Sequence, residues 1–219
     1  MGPGPELLPA FSCNESRGGT GPLPTERRLL FTLVNSILGS ERDLMELLLG
    51  AGSSREKRIV VPGRPKEWVD LKTVDCVASH QPNVLHDLNV MPWPFEDNQF
   101  SEVHGYEILE HLGSQGDYQS FFMHFGEIWR VLEPGGVLCA TVPHWESQWA
   151  WGDPGHTRVI NRGSLVFLDQ EEYHKQIGKT AMSDYRDVWK GDFVRIGQQV
   201  RGENFVFCLE AQKPARTFA

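Results

Sequence analysis

The sequence predicts an α/β protein built on a mostly parallel sheet with an antiparallel hairpin at its C-terminal end. Three observations carry that expectation. Phe100 to Tyr106 alternates apolar and polar residues, a helix-length stretch follows and stops at Pro134-Gly135-Gly136, and Val137 to Val142 is a second apolar run. Strand, crossover helix and strand form the repeating unit of a parallel sheet. Leu44 to Leu49 is a compact apolar run ending in Gly50-Ala51-Gly52, which reads as a strand closed by a tight turn. Asp192 to Val200 and Asn204 to Gln212 alternate around Arg201-Gly202-Glu203, the pattern of a hairpin.

The elements follow in order. Residues 1–24 are rich in Gly and Pro and are expected to form an irregular N-terminal arm. Residues 25–219 then make one domain, a size that supports a single sizeable core. It begins with a helix over 25–39: Thr25 is its cap, Leu29, Leu30, Leu33, Val34, Ile37 and Leu38 recur at helical spacing, and Gly39 ends it. The strand 44–49 comes next. Trp68 to Cys76 gives a second strand ending on an acid, and Asn83 to Leu88 a short third. The stretches 100–106 and 137–142 are the fourth and fifth. Ser164 to Ile177 reads as a helix before the hairpin.

Composition narrows the classes. The chain of 219 residues is 40% apolar and 23% charged, as expected of a globular protein, and its net charge of -8 argues against stable nonspecific nucleic-acid binding. Cys13, Cys76, Cys139 and Cys208 are far apart and form no CxxC pair, so buried free thiols are expected rather than a disulfide framework or a zinc site. No basic region with a long apolar core opens the chain, and no apolar run is long enough to span a bilayer. A cytoplasmic location without membrane partners is the expectation.

A parallel sheet binds ligands at the carboxyl ends of its strands. There the chain carries Gly50-Ala51-Gly52, then Asp75 at the end of the second strand and Asp87 at the end of the third. The glycines let backbone approach a ligand, and an acid about 20 residues or slightly more downstream can accept both hydroxyls of a ribose. Asp87 can receive the exocyclic amine of a base. A nicotinamide dinucleotide fits less well, because the chain reads GAGSSR instead of GxGxxG.

Taken in order, LLLGAGSS, VDC, HDL, PWPFEDNQFSEVHGYEILEHL, WRVLEPGGVLCATVP and DPGHTR resemble a class I S-adenosylmethionine-dependent methyltransferase. The nearest likeness is the small type 11 group, which includes bacteriophage members. The resemblance covers a core of residues 44–212. It implies a Rossmann-like three-layer α/β/α sandwich with a seven-stranded sheet whose last strand is antiparallel. It further implies S-adenosyl-L-methionine as cofactor. Gly50, Ala51 and Gly52 would wrap the methionine part, Asp75 would hold the ribose, and Cys76 would lie beside the adenine. Asp87 and Leu88 would contact the adenine edge and face, with Tyr106 facing the sulfonium. Two departures stand out: Ser101 replaces a frequent acid, and Cys76 a commoner aliphatic residue.

Methyl transfer from a sulfonium is an in-line displacement that needs positioning, with a base only where the acceptor carries a proton. Candidate bases are Glu107, Glu110, His111, His144 and His156; Glu107 and His111, four apart, are expected on one helix face. The stretch 143–158 follows the fifth strand and holds Trp145, Trp149, Trp151, Asp153, His156 and Arg158. Glu107, Trp145, Trp149, Trp151, Asp153 and Arg158 are the expected acceptor-binding residues, because aromatic faces there suit a base or sugar. The competing reading is that the tryptophans close a small core. His144, Asp153 and His156 could converge on a divalent ion, but their spacing matches no standard site, and no metal is expected. The place of the D/N/S-P-P-aromatic motif of amino methylation reads GYEI, and no Pro-Cys nucleophile is present. The expected reaction is therefore O- or N-methylation of a small molecule, sugar, nucleotide or exposed side chain. A noncatalytic methyltransferase-like module and a nicotinamide-dependent oxidoreductase are the alternatives.

Overall fold

The structure, a computed structural model, describes residues 44–217. The expected arm 1–24, the helix 25–39 and Cys13 lie outside the described residues. The strands are β1 (Met45–Leu49), β2 (Asp70–Asp75), β3 (Val84–Leu85), β4 (Phe100–Tyr106), β5 (Leu132–Pro143), β6 (Phe193–Arg201) and β7 (Asn204–Ala211). They form one sheet in the order β3-β2-β1-β4-β5-β7-β6. β1 to β5 run parallel, and β7 lies antiparallel to both β5 and β6. This is a Rossmann-like sheet, with the expected antiparallel hairpin at its end.

One face of the sheet packs on helix α1 (Tyr118–Val131). Asp117 caps it by accepting from Ser120 N–H, and Phe121, Phe125, Ile128 and Val131 recur at helical spacing on its buried side. They meet Leu47 and Leu49 of β1, Val103 of β4 and Leu138 and Ala140 of β5 in one core. These alternate residues share a face because strand side chains have a period of two.

The other face is built differently. Its buried apolar members are Leu48, Ala51, Ile59, Val61, Tyr106, Val137, Cys139, Val206 and Cys208, and none of them belongs to a helix. The covering layer on this side, among the described residues, is the irregular segment 53–69. Its sequence explains why: Ile59, Val60 and Val61 are β-branched, Pro62 and Pro65 lack N–H donors, and Gly63 has a φ of +84°. A buried irregular backbone needs partners for its polar groups, and the sheet's side chains provide them. Tyr106 Oη accepts from Arg58 N–H at 3.1 Å and Ile59 N–H at 3.3 Å. Glu46 Oε2 accepts from Val69 N–H at 2.8 Å. Lys57 Nζ sits 2.6 Å from Glu46 and 3.0 Å from Glu102, all three nearly sealed from water.

Two sequence expectations are corrected. The helix 164–177 is two short helices, α3 (Arg162–Val166) and α4 (Gln170–Gln176). Asp169 breaks it by accepting from Glu171 and Glu172 N–H as the cap of α4. Fifth-strand pairing begins earlier than Val137: Leu132 already pairs with Phe100, and the register shifts across the Pro134-Gly135-Gly136 turn. A last short helix, α2 (Gln148–Gly152), follows β5.

Candidate functional site

In the sheet the strand order reverses between β1 and β4, and the crevice at such a switch point is where open α/β sheets bind ligands. The two segments that leave these strands touch there. A Cβ on Gly50, whose φ is +55°, would lie 2.5 Å from Ile108 Cγ1, so only glycine fits this position. Gly52, at φ +54°, has open space where a Cβ would stand. Its N–H donates to Asp75 Oδ2 at 2.8 Å. The acid that ends β2 is thereby fixed against the turn that ends β1. Burial alone would raise the Asp75 pKa, but hydrogen bonds from Val77 N–H, Gly52 N–H and His80 bring it below the usual carboxylate value.

Two residues missed in the sequence close this turn. Arg55 Nη1 donates to the carbonyls of Ala51 and Gly52, and its Nη2 to that of His80. His80 Nδ1 lies 3.1 Å from Asp75 Oδ2. The GAGSSR string held the signal, since an Arg three residues past the second glycine can fold back on the turn's carbonyls. The remaining expected cofactor residues divide. Cys76 and Asp87 are exposed at the strand ends, Asp87 accepting from Asn89 N–H. Leu88 is packed into the main core.

Tyr106, expected to face a sulfonium, has its hydroxyl turned into the covering layer instead. It is 8% exposed, and His104 Nδ1 lies 2.6 Å from Oη, which also accepts the two main-chain N–H groups already described. The physical reason is the layer itself, whose unpaired backbone requires that oxygen.

The acceptor side gathers around β4 and the loop after β5. Glu107 and His111 do not share a helix face. Glu107 has a φ of +54°, its N–H still extends the ladder to Thr141 O at 2.9 Å, and the chain then enters a 3-10 turn, Leu109–His111. That turn buries Glu110, which is 1% exposed with neither carboxylate oxygen hydrogen-bonded, although His156 Nε2 lies 4.0 Å from Oε1; Glu107 Oε1 is also buried without a hydrogen-bond partner. The main-chain carbonyl of Glu110 accepts from Thr157 and Arg158 N–H, at 2.9 and 3.0 Å. This lacing brings His156 to His111 with ring centroids 4.7 Å apart. Asp153 Oδ2 lies 3.8 Å from His156 Nε2.

His144 is not part of this group. Its N–H donates to Glu203 O, and its ring lies 3.8 Å from Glu146 and against Trp145. Arg158, expected to bind the acceptor, is buried scaffold: Nε donates to Leu112 O, Nη2 to Asp117 O, and its guanidinium lies over Phe121. Trp145, Trp149 and Trp151 are 49%, 55% and 69% exposed, so they do not close a core.

Burial, and then the adjacent Glu107 and Asp153 carboxylates, push Glu110 up to about 8. A carboxyl whose folded pKa is raised favours the fold fully below its unfolded value near 4.5, and that contribution fades as pH rises through about 8. Glu110→Gln, which cannot ionise, is therefore expected to gain stability relative to the parent chain across that window. Urea midpoints at pH 5, 7 and 9, with a chelator present, measure it; a difference independent of pH refutes the assignment.

No family model and no curated protein sequence matches the chain. Solved structures do superpose on it. A SAM-dependent methyltransferase from Archaeoglobus fulgidus has 12% identity, covering 84% of this chain and 94% of that one, with a TM-score of 0.47. The N-methyltransferase NodS from Bradyrhizobium japonicum WM9 has 14% identity, covering 87% and 98%, at 0.45. The CurJ carbon methyltransferase has 16% identity at 0.47; it aligns with 86% of this chain, which spans only 54% of that one. At such identities the likeness concerns the fold alone.

Proposed function

We propose that the chain is an S-adenosyl-L-methionine-dependent methyltransferase acting on an oxygen or nitrogen of a small molecule, sugar, nucleotide or exposed side chain. The observation that carries this reading is the 2.8 Å hydrogen bond from Gly52 N–H to Asp75 Oδ2 at the switch point of the sheet. It sets a bare glycine backbone and a ribose-accepting carboxylate side by side. The fit to the cofactor rests on two features: a Cβ-free approach at Gly52, and an ionised acid ending β2. When bound, the cofactor supplies a methyl group activated on a sulfonium.

The chain's own groups then divide by role. Gly50, Ala51 and Gly52 present backbone to the methionine part. Asp75 accepts the ribose hydroxyls, and Asp87 is available to the adenine edge. Trp149 and Trp151, exposed on α2, offer flat faces to an acceptor. His111 and His156 each have Nδ1 against a main-chain carbonyl, Gly155 O and Trp149 O. Nδ1 is therefore the N–H, and Nε2 keeps the lone pair. Without a bound cation, burial and the neighbouring Glu107 and Asp153 carboxylates push Glu110 up to about 8, so it is no base at neutral pH.

Calorimetry with S-adenosylhomocysteine is expected to show saturable binding together with a thermal upshift. Neither heat nor a shift at high ligand concentration would sink the proposal. One observation favours a second reading, a noncatalytic module: Arg55 and His80 lie across the glycine turn. On that reading Arg55→Ala leaves S-adenosylhomocysteine unbound, whereas on the first it binds.

A further inference from the structure

We infer that Glu110, His111 and His156 form a binding site for one divalent transition-metal ion, flanked by Glu107 and Asp153. One ligand atom from each of the three lies within 4.8 Å of the other two. Two imidazoles and a carboxylate on one side of an ion leave positions open opposite, the arrangement typical of nitrogen- and oxygen-ligated transition metals.

Two features of the chain point to a cation. Both oxygens of Glu110 are buried without a hydrogen-bond partner on a residue 1% exposed. Buried polar atoms are nearly always satisfied, and an ion is one of the few partners that satisfies a carboxylate on both oxygens. Each histidine is oriented as a metal ligand is oriented. His111 Nδ1 lies 2.9 Å from Gly155 O and His156 Nδ1 2.8 Å from Trp149 O, which fixes the tautomer and leaves each Nε2 with a lone pair; His156 Nε2 lies 4.0 Å from Glu110 Oε1. The backbone holds the set in place: Glu110 O receives Thr157 and Arg158 N–H, and Asp153 Oδ1 receives Gly155 N–H at 2.7 Å. Glu107, at φ +54° with a buried unpartnered Oε1, stands where backbone strain commonly accompanies function.

The donor set selects the metal class. Imidazole nitrogen excludes a site built for Ca²⁺, which takes oxygens alone, and the absence of thiolate argues against a structural zinc centre. Mn²⁺ and Co²⁺ suit mixed nitrogen and carboxylate ligands. A lone pair given to a cation is not available to a proton, so this assignment makes His111 and His156 ligands instead of bases. Metal binding itself does not depend on the methyltransferase reading and can be tested without any cofactor.

The full chain, stripped with a chelator and dialysed, is titrated with MnCl₂ while free Mn²⁺ is followed by electron paramagnetic resonance. One equivalent is expected to bind. Glu110→Gln and His156→Asn are expected to weaken it at least about 10-fold, while His86→Asn, a histidine outside the cluster, leaves it unchanged. Glu110→Gln is isosteric, and its circular dichroism spectrum checks that it folds. Co²⁺-loaded parent protein is expected to show two paramagnetically shifted imidazole N–H resonances, a readout that needs no variant. Failure to retain either ion, affinity unaltered in both cluster variants, or the lack of shifted imidazole resonances overturns the assignment.

Discussion

Replacing Lys57 with methionine is expected to destabilise the chain by about 3–5 kcal/mol, seen as a fall in the urea midpoint at unchanged slope. Folded domains hold only about 5–15 kcal/mol in reserve, so this is a large fraction of the whole. The ammonium lies 2.6 Å from Glu46 Oε1 and 3.0 Å from Glu102 Oε2, with each side chain 1–2% exposed. Removing it leaves two buried carboxylates with only Arg64, 3.9 Å from Glu102 Oε1, as a cation beside them. Burial would raise the Glu102 pKa, yet His104 and Lys57 together hold it below the usual value. Burial also keeps His104 on the neutral side, so its Nε2–H is donated to Glu102 at 2.7 Å and its Nδ1 receives the Tyr106 hydroxyl. Adding Glu46→Gln and Glu102→Gln to Lys57→Met is expected to recover most of the loss, because a vacated charge cluster is cheaper than a broken one. A single-variant cost below about 1 kcal/mol, the scale of an exposed pair, would show that the network is not what pins segment 53–69 to the sheet.

The second large effect concerns Asp75. On the proposed reading, Asp75→Ala weakens S-adenosylhomocysteine binding by about 100-fold or more, since two hydroxyls lose a charged acceptor worth about 1.5–3 kcal/mol each. The same change releases Gly52 N–H and Val77 N–H, both of which the carboxylate now accepts at 2.8 Å, so a stability loss accompanies it. Asp75→Asn separates the two effects. The amide oxygen can still accept from one of the main-chain donors, and the fold should suffer less than the affinity. Titration calorimetry and urea midpoints on both variants decide it. Wild-type affinity in Asp75→Ala would remove the acid from the cofactor side altogether.

Much of the sheet was legible in the sequence, because strand patterns and their punctuation are local. Leu44 to Leu49 with its glycines, the alternation of 100–106 and the turn at Arg201-Gly202-Glu203 each contain the information that shapes them. The helix 164–177 misled because its apolar spacing continues across Asp169, whose capping hydrogen bonds to Glu171 and Glu172 outweigh propensity. Glu107 misled in a similar way. Four-residue spacing to His111 is a helical signal only if the backbone is helical, and here Glu107 is left-handed.

By itself, then, the sequence determined the strand order's raw material, the glycine turn, the acid after β2 and the crowding of Trp and His into 143–158. Only the tertiary structure decided which of those residues meet. Glu110 and His156 are far apart along the chain, and no local rule announces that the Glu110 carbonyl captures the loop bearing His156. Nor does any local rule say that Tyr106 turns its hydroxyl toward Arg58 and Ile59, or that Arg158 serves Leu112 and Asp117 instead of a ligand. The reason is common to all three. Buried backbone polar groups take whichever side chain the packing brings within reach, and packing is a property of the assembled sheet and its layers, not of any stretch of sequence.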